Sequence, residues 1–181
     1  MAIEIEKKYR LTNEQVRLLA DTLPRVGASR VGLEFEVNTL YRHPAIDHQT
    51  SVLRVRRVGE RTILTFKQHL PTSTSAKYRR EEETEVMNYD ALAAILEVLG
   101  CAPALVYEKR RETWRLRDAE IVVDELPFGW FMEIEGSEEA ISEVEQLISI
   151  EGLTEEIATY PQLTLKHGKK QGERIEARFE G

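Results

Sequence analysis

Charged side chains alternate with apolar ones in one strand-like segment after another of this chain. The first such segment runs Ile3-Glu4-Ile5-Glu6-Lys7-Lys8-Tyr9. Successive side chains of a β-strand point to opposite faces, so this spacing places Glu4, Glu6 and Lys8 on one face and apolar residues on the other. A set of strands that all carry charge on one side can close around a polar interior.

The same alternation recurs further along the chain. The later segments are Val52-Leu53-Arg54-Val55-Arg56, Leu64-Thr65-Phe66-Lys67, Tyr78-Arg79-Arg80-Glu81-Glu82-Glu83, Glu108-Lys109-Arg110-Arg111 and Met132-Glu133-Ile134-Glu135. Asp124 follows the apolar run Ile121-Val122-Val123 and adds one more carboxylate. Any one of these segments is explained by a strand with one wet face, which is common in antiparallel sheets. Their recurrence favours a shared charged face.

If these faces all point inward, the interior holds both cations and carboxylates. The cationic groups are Lys8, Arg54, Arg56, Lys67, Arg79, Lys109 and Arg111. The acidic groups are Glu4, Glu6, Glu81, Glu83, Asp124, Glu133 and Glu135. Arginine and lysine bind phosphate oxygens, whereas clustered carboxylates bind a hard cation such as Mg²⁺ or Mn²⁺, which in turn bridges phosphates. The pattern therefore predicts a metal-assisted phosphate site.

Composition narrows the partners and the setting. The 181 residues suit one domain or one domain with a small appendage. A net charge of −7 argues against a general binder of nucleic acid or acidic membranes. The single cysteine, Cys101, fits a reducing compartment, and the sequence has neither a signal-peptide pattern nor an apolar run of transmembrane length. We expect a cytoplasmic protein without nucleic-acid or membrane partners.

The periodicity predicts an α+β fold with mostly antiparallel strands. Strands are expected at 2–10, 31–42, 51–57, 61–69, 76–86, 104–116, 119–125 and 130–136, and helices at 13–23, 89–99 and 138–149. Thr12 or Asn13 is the expected N-cap of the first helix, Ser137 precedes the third as its expected cap, and Gly100 is an expected C-terminal stop. Short turns between strands favour a barrel or a strongly curved sheet. Residues 1–170 are expected to form the domain, and 171–181 a charged tail prone to disorder.

Taken in order, these motifs resemble the CYTH superfamily, the triphosphate tunnel metalloenzymes. The segment Glu4-Ile5-Glu6-Lys7-Lys8 is similar to the N-terminal E-x-E-x-K signature of the family, and the later segments follow in the family order over residues 2–165. The resemblance implies an eight-stranded antiparallel β-barrel with flanking helices. In the family, the charged interior of this tunnel binds a triphosphate together with Mg²⁺ or Mn²⁺.

The resemblance also implies roles for individual residues. The implied metal ligands are Glu4, Glu6, Glu133 and Glu135, with Glu81 or Glu83 and Asp124 assisting. The implied triphosphate ligands are Lys8, Arg54, Arg56, Lys67, Arg79, Lys109 and Arg111, with Lys166 as the basic residue near the C-terminus. Glu4, Glu6, Lys8, Arg56 and Lys109 are the catalytic candidates. A shift of one residue within 79–83 would instead turn Arg80 and Glu82 toward the interior.

Metal-dependent hydrolysis of a triphosphate, inorganic or organic, is the primary functional prediction. A class IV adenylyl cyclase, which makes cyclic AMP from ATP in the same tunnel, is the alternative, and it differs in whether the ribose 3′-hydroxyl or a water attacks. A non-catalytic binder of polyphosphate or nucleotide is the third reading. The expected partner is a triphosphate-bearing small molecule, and a homodimer would be in keeping with the family.

Overall fold

The computed structural model describes residues 5–69 and 79–180, the side chains at 69, 79 and 80 excepted. The strands are β1 (Glu6–Leu11), β2 (Ser29–Arg42), β3 (Ser51–Val58), β4 (Arg61–His69), β5 (Arg79–Val86), β6 (Ala102–Leu116), β7 (Ala119–Leu126), β8 (Gly129–Glu135), β9 (Thr154–Glu155), β10 (Lys169–Gln171) and β11 (Arg174–Ala177). The helices are α1 (Asn13–Arg25), α2 (Tyr89–Val98), α3 (Glu138–Ile148) and α4 (Tyr160–His167). The predicted α+β class, an antiparallel sheet with flanking helices, is confirmed.

The described chain divides into two compact units. Unit 1 comprises residues 36–69, 79–108 and 160–178, and unit 2 comprises residues 5–35, 109–159 and 179–180. β2 and β6 are long strands, and each is divided about equally between the two units. No helix in the described part of the chain is long and apolar enough to cross a membrane.

Unit 1 contains the ladder β5–β4–β3–β2, in which the strands pair antiparallel in hairpin order. Its apolar core joins Tyr41 of β2 and Val55 of β3 to Leu92 and Leu96 of α2. The side chain of Asn88 caps α2 by accepting a hydrogen bond from the backbone N–H of residue 91. The opposite face of β3 and β4 is therefore left for polar side chains.

Unit 2 contains the ladder β6–β7–β8–β1–β9. One face of this ladder packs on α1 and α3 through fully buried side chains such as Ile121 and Ile134. Of the two candidates for the first cap, Thr12 forms a capping box and α1 begins at Asn13, and the cap expected at Ser137 is confirmed by its hydrogen bond from the first turn of α3. The apolar alternation thus fixes which face of unit 2 meets the helices, and the charged residues take the other face.

The last part of the chain differs from the prediction. The periodicity predicted eight strands and three helices, whereas the described residues also form α4 and the short strands β9, β10 and β11. β11 lies within the segment predicted as a tail prone to disorder, and it pairs antiparallel with β10 and parallel with β6. Gly168 permits this hairpin, because a Cβ there would lie 2.6 Å from the carbonyl oxygen of Thr164. Strands this short are stabilised by their partner strand and carry little periodicity of their own.

Candidate functional site

The ladders of unit 2 place the predicted charges of β1, β6, β7 and β8 on one face, opposite the apolar core. Lys8 is the cross-strand partner of Glu133, and Glu6 is the partner of Glu135. Arg111 stands opposite Asp124 in the β6–β7 ladder. We call this surface the unit 2 charged face; its members are Glu6, Lys8, Lys109, Arg111, Asp124, Glu133 and Glu135.

Asp124 lies at the centre of the unit 2 charged face and is fully buried. Its carboxylate accepts hydrogen bonds from Arg111 Nε at 2.8 Å and Arg111 Nη2 at 2.6 Å. Lys109 Nζ lies 3.4 Å from the same carboxylate, and Lys109 is only 4% exposed. A buried carboxylate requires such compensation, because an unpaired charge in the interior costs several kcal/mol. Asp124 therefore orders two of the predicted phosphate-binding cations.

Glu133 connects Arg111, which is bonded to Asp124, with Lys8 of β1. Its Oε2 accepts a hydrogen bond from Arg111 Nη2 at 2.7 Å, and its Oε1 lies 3.5 Å from Lys8 Nζ. Lys8 Nζ also donates to the carbonyl oxygen of Ala158 at 3.1 Å. The result is a continuous network that runs Lys8–Glu133–Arg111–Asp124–Lys109.

A row of carboxylates lies beside this network. Glu135 stands between two cross-strand partners, Glu6 on β1 and Glu120 on β7. Arg115 faces Glu120 from β6, and both line a depression of about 360 Å³ that Glu135 also borders. Sequence analysis missed Glu120 and Arg115. Extending the strand period four residues back from Asp124 and four residues on from Arg111 would have found them.

The donor chemistry of this row suits a hard divalent cation, which prefers carboxylate oxygens. Like charges on directly opposed strand positions repel each other, and a cation placed between Glu6 and Glu135 would relieve that repulsion. Asp124 and Glu133 instead already accept charge-assisted hydrogen bonds from Arg111. Within residues 5–69 and 79–180, no three carboxylate, histidine or cysteine side chains are grouped as a metal site. Glu4 lies outside the described residues.

A second set of predicted residues shares a face of unit 1. Arg54, Thr65 and Glu83 are successive partners across β3, β4 and β5, and Lys67 is the partner of Glu81. We call Arg54, Arg56, Thr65, Lys67, Glu81 and Glu83 the unit 1 charged face. This pairing settles the register at 79–83: Glu81 and Glu83 belong to the face, and Glu82 has the opposite parity. In the same register Arg79 is the backbone partner of His69.

Carboxylates of β5 hold the cations of the unit 1 charged face. Lys67 Nζ lies 2.8 Å from Glu81 Oε2. Glu83 Oε2 accepts a hydrogen bond from Thr65 Oγ1 at 3.0 Å and lies 3.5 Å from Arg56 Nη2 and 4.0 Å from Arg54 Nη2. The Nε–H groups of Arg54 and Arg56 are buried and have no acceptor among the described residues. These two buried donors are therefore unsatisfied within the described residues.

Two polar residues of β2 were also missed by the sequence analysis. Glu36 is 1% exposed, and Asn38 is completely buried. Both have the same parity in the β2–β3 ladder, where Asn38 is the partner of Arg56. The segment Glu34-Phe35-Glu36-Val37-Asn38 has the alternation that could have identified them. Lys166, by contrast, lies in the last turn of α4 with an exposed side chain.

The core side of β1 is anchored to α3, which fixes the strand that carries Glu6 and Lys8. Tyr9 donates a hydrogen bond to Glu145, and Lys7 Nζ lies 2.9 Å from the same carboxylate. Burial raises the pKa of Tyr9, and the bond to Glu145 raises it further. Burial also opposes the ionisation of Glu145, but the bonds from Tyr9 and Lys7 outweigh it and lower the pKa of this carboxyl. The contact between β1 and α3 is therefore made to the ionised carboxylate of Glu145.

The fold defines an α+β protein in which each of the two charged faces presents cations and carboxylates together, a combination suited to a polyanion with a divalent cation. Residues 2–162 match the sequence model of the CYTH domain, and the chain belongs to the CYTH family. The resemblance inferred from the order of the motifs is thereby confirmed. No functionally curated protein matches the chain.

Several solved structures share the fold. The PH1819 protein of Pyrococcus horikoshii is 26% identical, with 90% of this chain and 98% of that chain covered and a TM-score of 0.73. The PH1012 protein of the same organism is 22% identical, with 88% and 98% covered and a TM-score of 0.73. HpAC1 of Hippeastrum, described as an adenylyl cyclase candidate with a dominant triphosphatase activity, is 18% identical, with 88% and 93% covered and a TM-score of 0.64.

Proposed function

We propose that this protein hydrolyses a triphosphate, inorganic or organic, with the help of Mg²⁺ or Mn²⁺. The observation that carries the proposal is the network Lys8–Glu133–Arg111–Asp124–Lys109, which adjoins the paired carboxylates Glu6 and Glu135. Cations for phosphate oxygens and carboxylates for a metal thus lie on one face. Membership of the CYTH family and the triphosphatase activity described for HpAC1 support hydrolysis.

The cationic side chains bind the phosphate oxygens in this proposal. On the unit 2 charged face these are Lys8, Lys109 and Arg111, and on the unit 1 charged face they are Arg54, Arg56 and Lys67; Arg79 and Lys166 are proposed as further contributors. Phosphoryl transfer spreads charge over the equatorial oxygens of the transferred group, and preorganised donors lower the barrier by matching that charge. Lys8, Arg56 and Lys109 are the proposed catalytic cations because each is already held by other groups of the protein.

Glu6, Glu133 and Glu135, together with Glu4, are the proposed metal ligands, and Glu81, Glu83 and Asp124 assist by orienting the cations. A bound divalent ion would supply charge for the phosphate oxygens and a more acidic water. The contacts of Arg111 suggest how the site accepts its ligands. Arg111 bonds both Asp124 and Glu133, so a phosphate oxygen that replaces Glu133 at Arg111 would release this carboxylate for the metal.

A class IV adenylyl cyclase is the second candidate. A protein of Vibrio parahaemolyticus that is described as an adenylate cyclase candidate shares the fold at a TM-score of 0.67 and 20% identity. The same triphosphate-binding residues serve both reactions, so the outcome depends on whether water or the ribose 3′-hydroxyl attacks. A third candidate, a non-catalytic binder, would retain the cations but turn nothing over.

A product screen separates these activities. The purified chain is incubated with tripolyphosphate, ATP or thiamine triphosphate, in Mg²⁺, in Mn²⁺ and in EDTA. We expect free phosphate in either metal and none in EDTA. Cyclic AMP with pyrophosphate would instead identify a cyclase, and binding without any product would identify a binder.

Two variants assign the activity to the site. Glu6→Gln and Glu133→Gln remove one negative charge each without changing side-chain size, and we expect metal-dependent turnover to fall by about 100-fold. Glu125→Gln is the matched control, because Glu125 pairs with the exposed Arg110 on the other face of β7. Normal turnover in both Glu6→Gln and Glu133→Gln, with the fold intact by circular dichroism, would contradict the assignment.

A further inference from the structure

Glu36 is an almost completely buried carboxylate within unit 1, at 1% exposure. It is held on one side by Asn38, whose Nδ2 donates a hydrogen bond to Glu36 Oε2 at 3.1 Å. Asn38 itself is fully buried and stands opposite Arg56 in the β2–β3 ladder. A buried carboxylate with a buried amide partner has little rotational freedom, so its position is well defined.

Arg56 is a cation that lies beside Glu36. Arg56 Nη1 lies 3.9 Å from Glu36 Oε1, and Arg56 Nη2 lies 3.5 Å from Glu83 Oε2. The two carboxylates differ in burial, since the side chain of Glu83 is 40% exposed and that of Glu36 is 2% exposed. Water screens the contact with Glu83 and leaves it weak, whereas the contact with Glu36 is far less screened. Glu36 therefore has the greater influence on where the guanidinium lies.

We propose that Glu36 is a positioning residue that acts through Arg56. Asn38 fixes Glu36, and Glu36 fixes the guanidinium of Arg56, so that its accessible N–H groups are presented to a phosphate oxygen. The inference rests on the proposed function and extends it to a residue that does not itself touch the substrate. Because its guanidinium is already ordered, Arg56 can stabilise the charge of the transition state without a further loss of side-chain freedom.

Glu36 should weaken the binding of an anion and at the same time increase the rate of turnover. The negative charge of Glu36 lies close to the anion that Arg56 would bind, so it opposes binding in the ground state. Its removal should strengthen the binding of an anion while leaving Arg56 less well oriented. A residue with a merely structural role would weaken both binding and turnover when replaced.

The test uses the full chain and the variant Glu36→Gln, which keeps the size and the hydrogen bond to Asn38 but loses the charge. Affinity for inorganic tripolyphosphate is measured by calorimetry in EDTA, and kcat is measured in Mg²⁺. We expect kcat to fall about tenfold. We expect the metal-free affinity to rise about threefold, the effect of removing one charge about 7 Å from the anion at the dielectric constant of bulk water, about 80.

A double-mutant cycle tests whether the effect passes through Arg56. Arg56→Lys keeps the positive charge but lacks the planar fork that Glu36 orients. In this background Glu36→Gln should change kcat by less than about twofold, because there is no fork left to misplace. Glu85→Gln is the control, since Glu85 forms an exposed ion pair with Arg61 on the same sheet, and it should leave both quantities unchanged.

The outcomes separate this inference from the proposed function. The inference is overturned if Glu36→Gln lowers both the affinity and kcat, or if its effect on kcat is undiminished in the Arg56→Lys background. In either case, turnover by the wild type still supports the proposed function. If the wild type turns over no triphosphate but binds tripolyphosphate, the function fails, and an unchanged affinity in Glu36→Gln overturns the inference as well. If the wild type neither binds nor hydrolyses tripolyphosphate, both are overturned.

Discussion

The network around Asp124 predicts that removing the charge of this carboxylate lowers the stability of the protein. Asp124 is fully buried and accepts two short hydrogen bonds from Arg111, at 2.8 Å and 2.6 Å, with Lys109 Nζ at 3.4 Å. Lys109 is 4% exposed, so water does little to solvate its ammonium group. Removal of the Asp124 charge would leave two cations with too little compensation.

The variant Asp124→Asn keeps the side-chain size and one oxygen acceptor but loses the charge and one hydrogen bond to Arg111. A hydrogen bond to a charged group contributes about 1.5–3 kcal/mol, and removing one member of a buried ion pair costs about 3–5 kcal/mol. Arg111 retains its 2.7 Å bond to Glu133, which moderates the loss. We expect the free energy of unfolding to fall by about 3 kcal/mol, toward the lower end of these ranges.

Urea unfolding at neutral pH measures this quantity, and an unchanged m value would show that the same surface unfolds. Glu125→Gln is the matched control on the same strand. Glu125 accepts a hydrogen bond from Arg110 Nη1 at 2.8 Å, but their side chains are 26% and 49% exposed, so the expected cost is at most about 1 kcal/mol. Equal losses in the two variants would refute the reasoning, because burial would then not be the source of the difference.

Two further predictions concern the packing and the acid stability of the fold. Gly168→Ala should lower the free energy of unfolding by about 1–3 kcal/mol, since the new Cβ would lie 2.6 Å from the carbonyl oxygen of Thr164, whereas Gly32→Ala, with no atom within 4 Å, should be neutral in thermal melts. Glu145, whose pKa Tyr9 helps to lower in the folded state, contributes stability that is present above about pH 4.5 and lost as the pH falls through its folded value. As the pH is lowered from about 6 to about 3, the free energy of unfolding should decline less steeply in Glu145→Gln than in the wild type. Identical slopes would contradict this role of Glu145.

The faces of the charged strands could be predicted from the sequence because the side-chain period of a strand is a local property. In β1 and β8, apolar residues such as Tyr9 and Met132 recur at alternate positions and mark the core face, Lys7 being the exception in β1. The opposite parity of Lys8 and Glu133 follows at once, without knowledge of which strand is the neighbour. For the same reason the strong periodic segments gave nearly correct element bounds.

The sequence could not settle the register of β5. Residues 79–85 are all charged or polar, so no apolar side chain marks the buried face. Only the pairing with β4, in which Thr65 stands opposite Glu83, decides between Glu83 and Glu82. A register without an apolar marker is set by the partner strand.

Burial and partner choice are the other properties that only the tertiary structure decided. Glu36 and Asn38 belong to residue types that are mostly exposed, yet both are buried beside Arg56. β11 carries little periodicity and is ordered by its parallel pairing with β6. The sequence by itself determined which charges share a face. The tertiary structure decided which of them meet, because the period of a strand is local while the neighbours that bury and pair a charge come from distant parts of the chain.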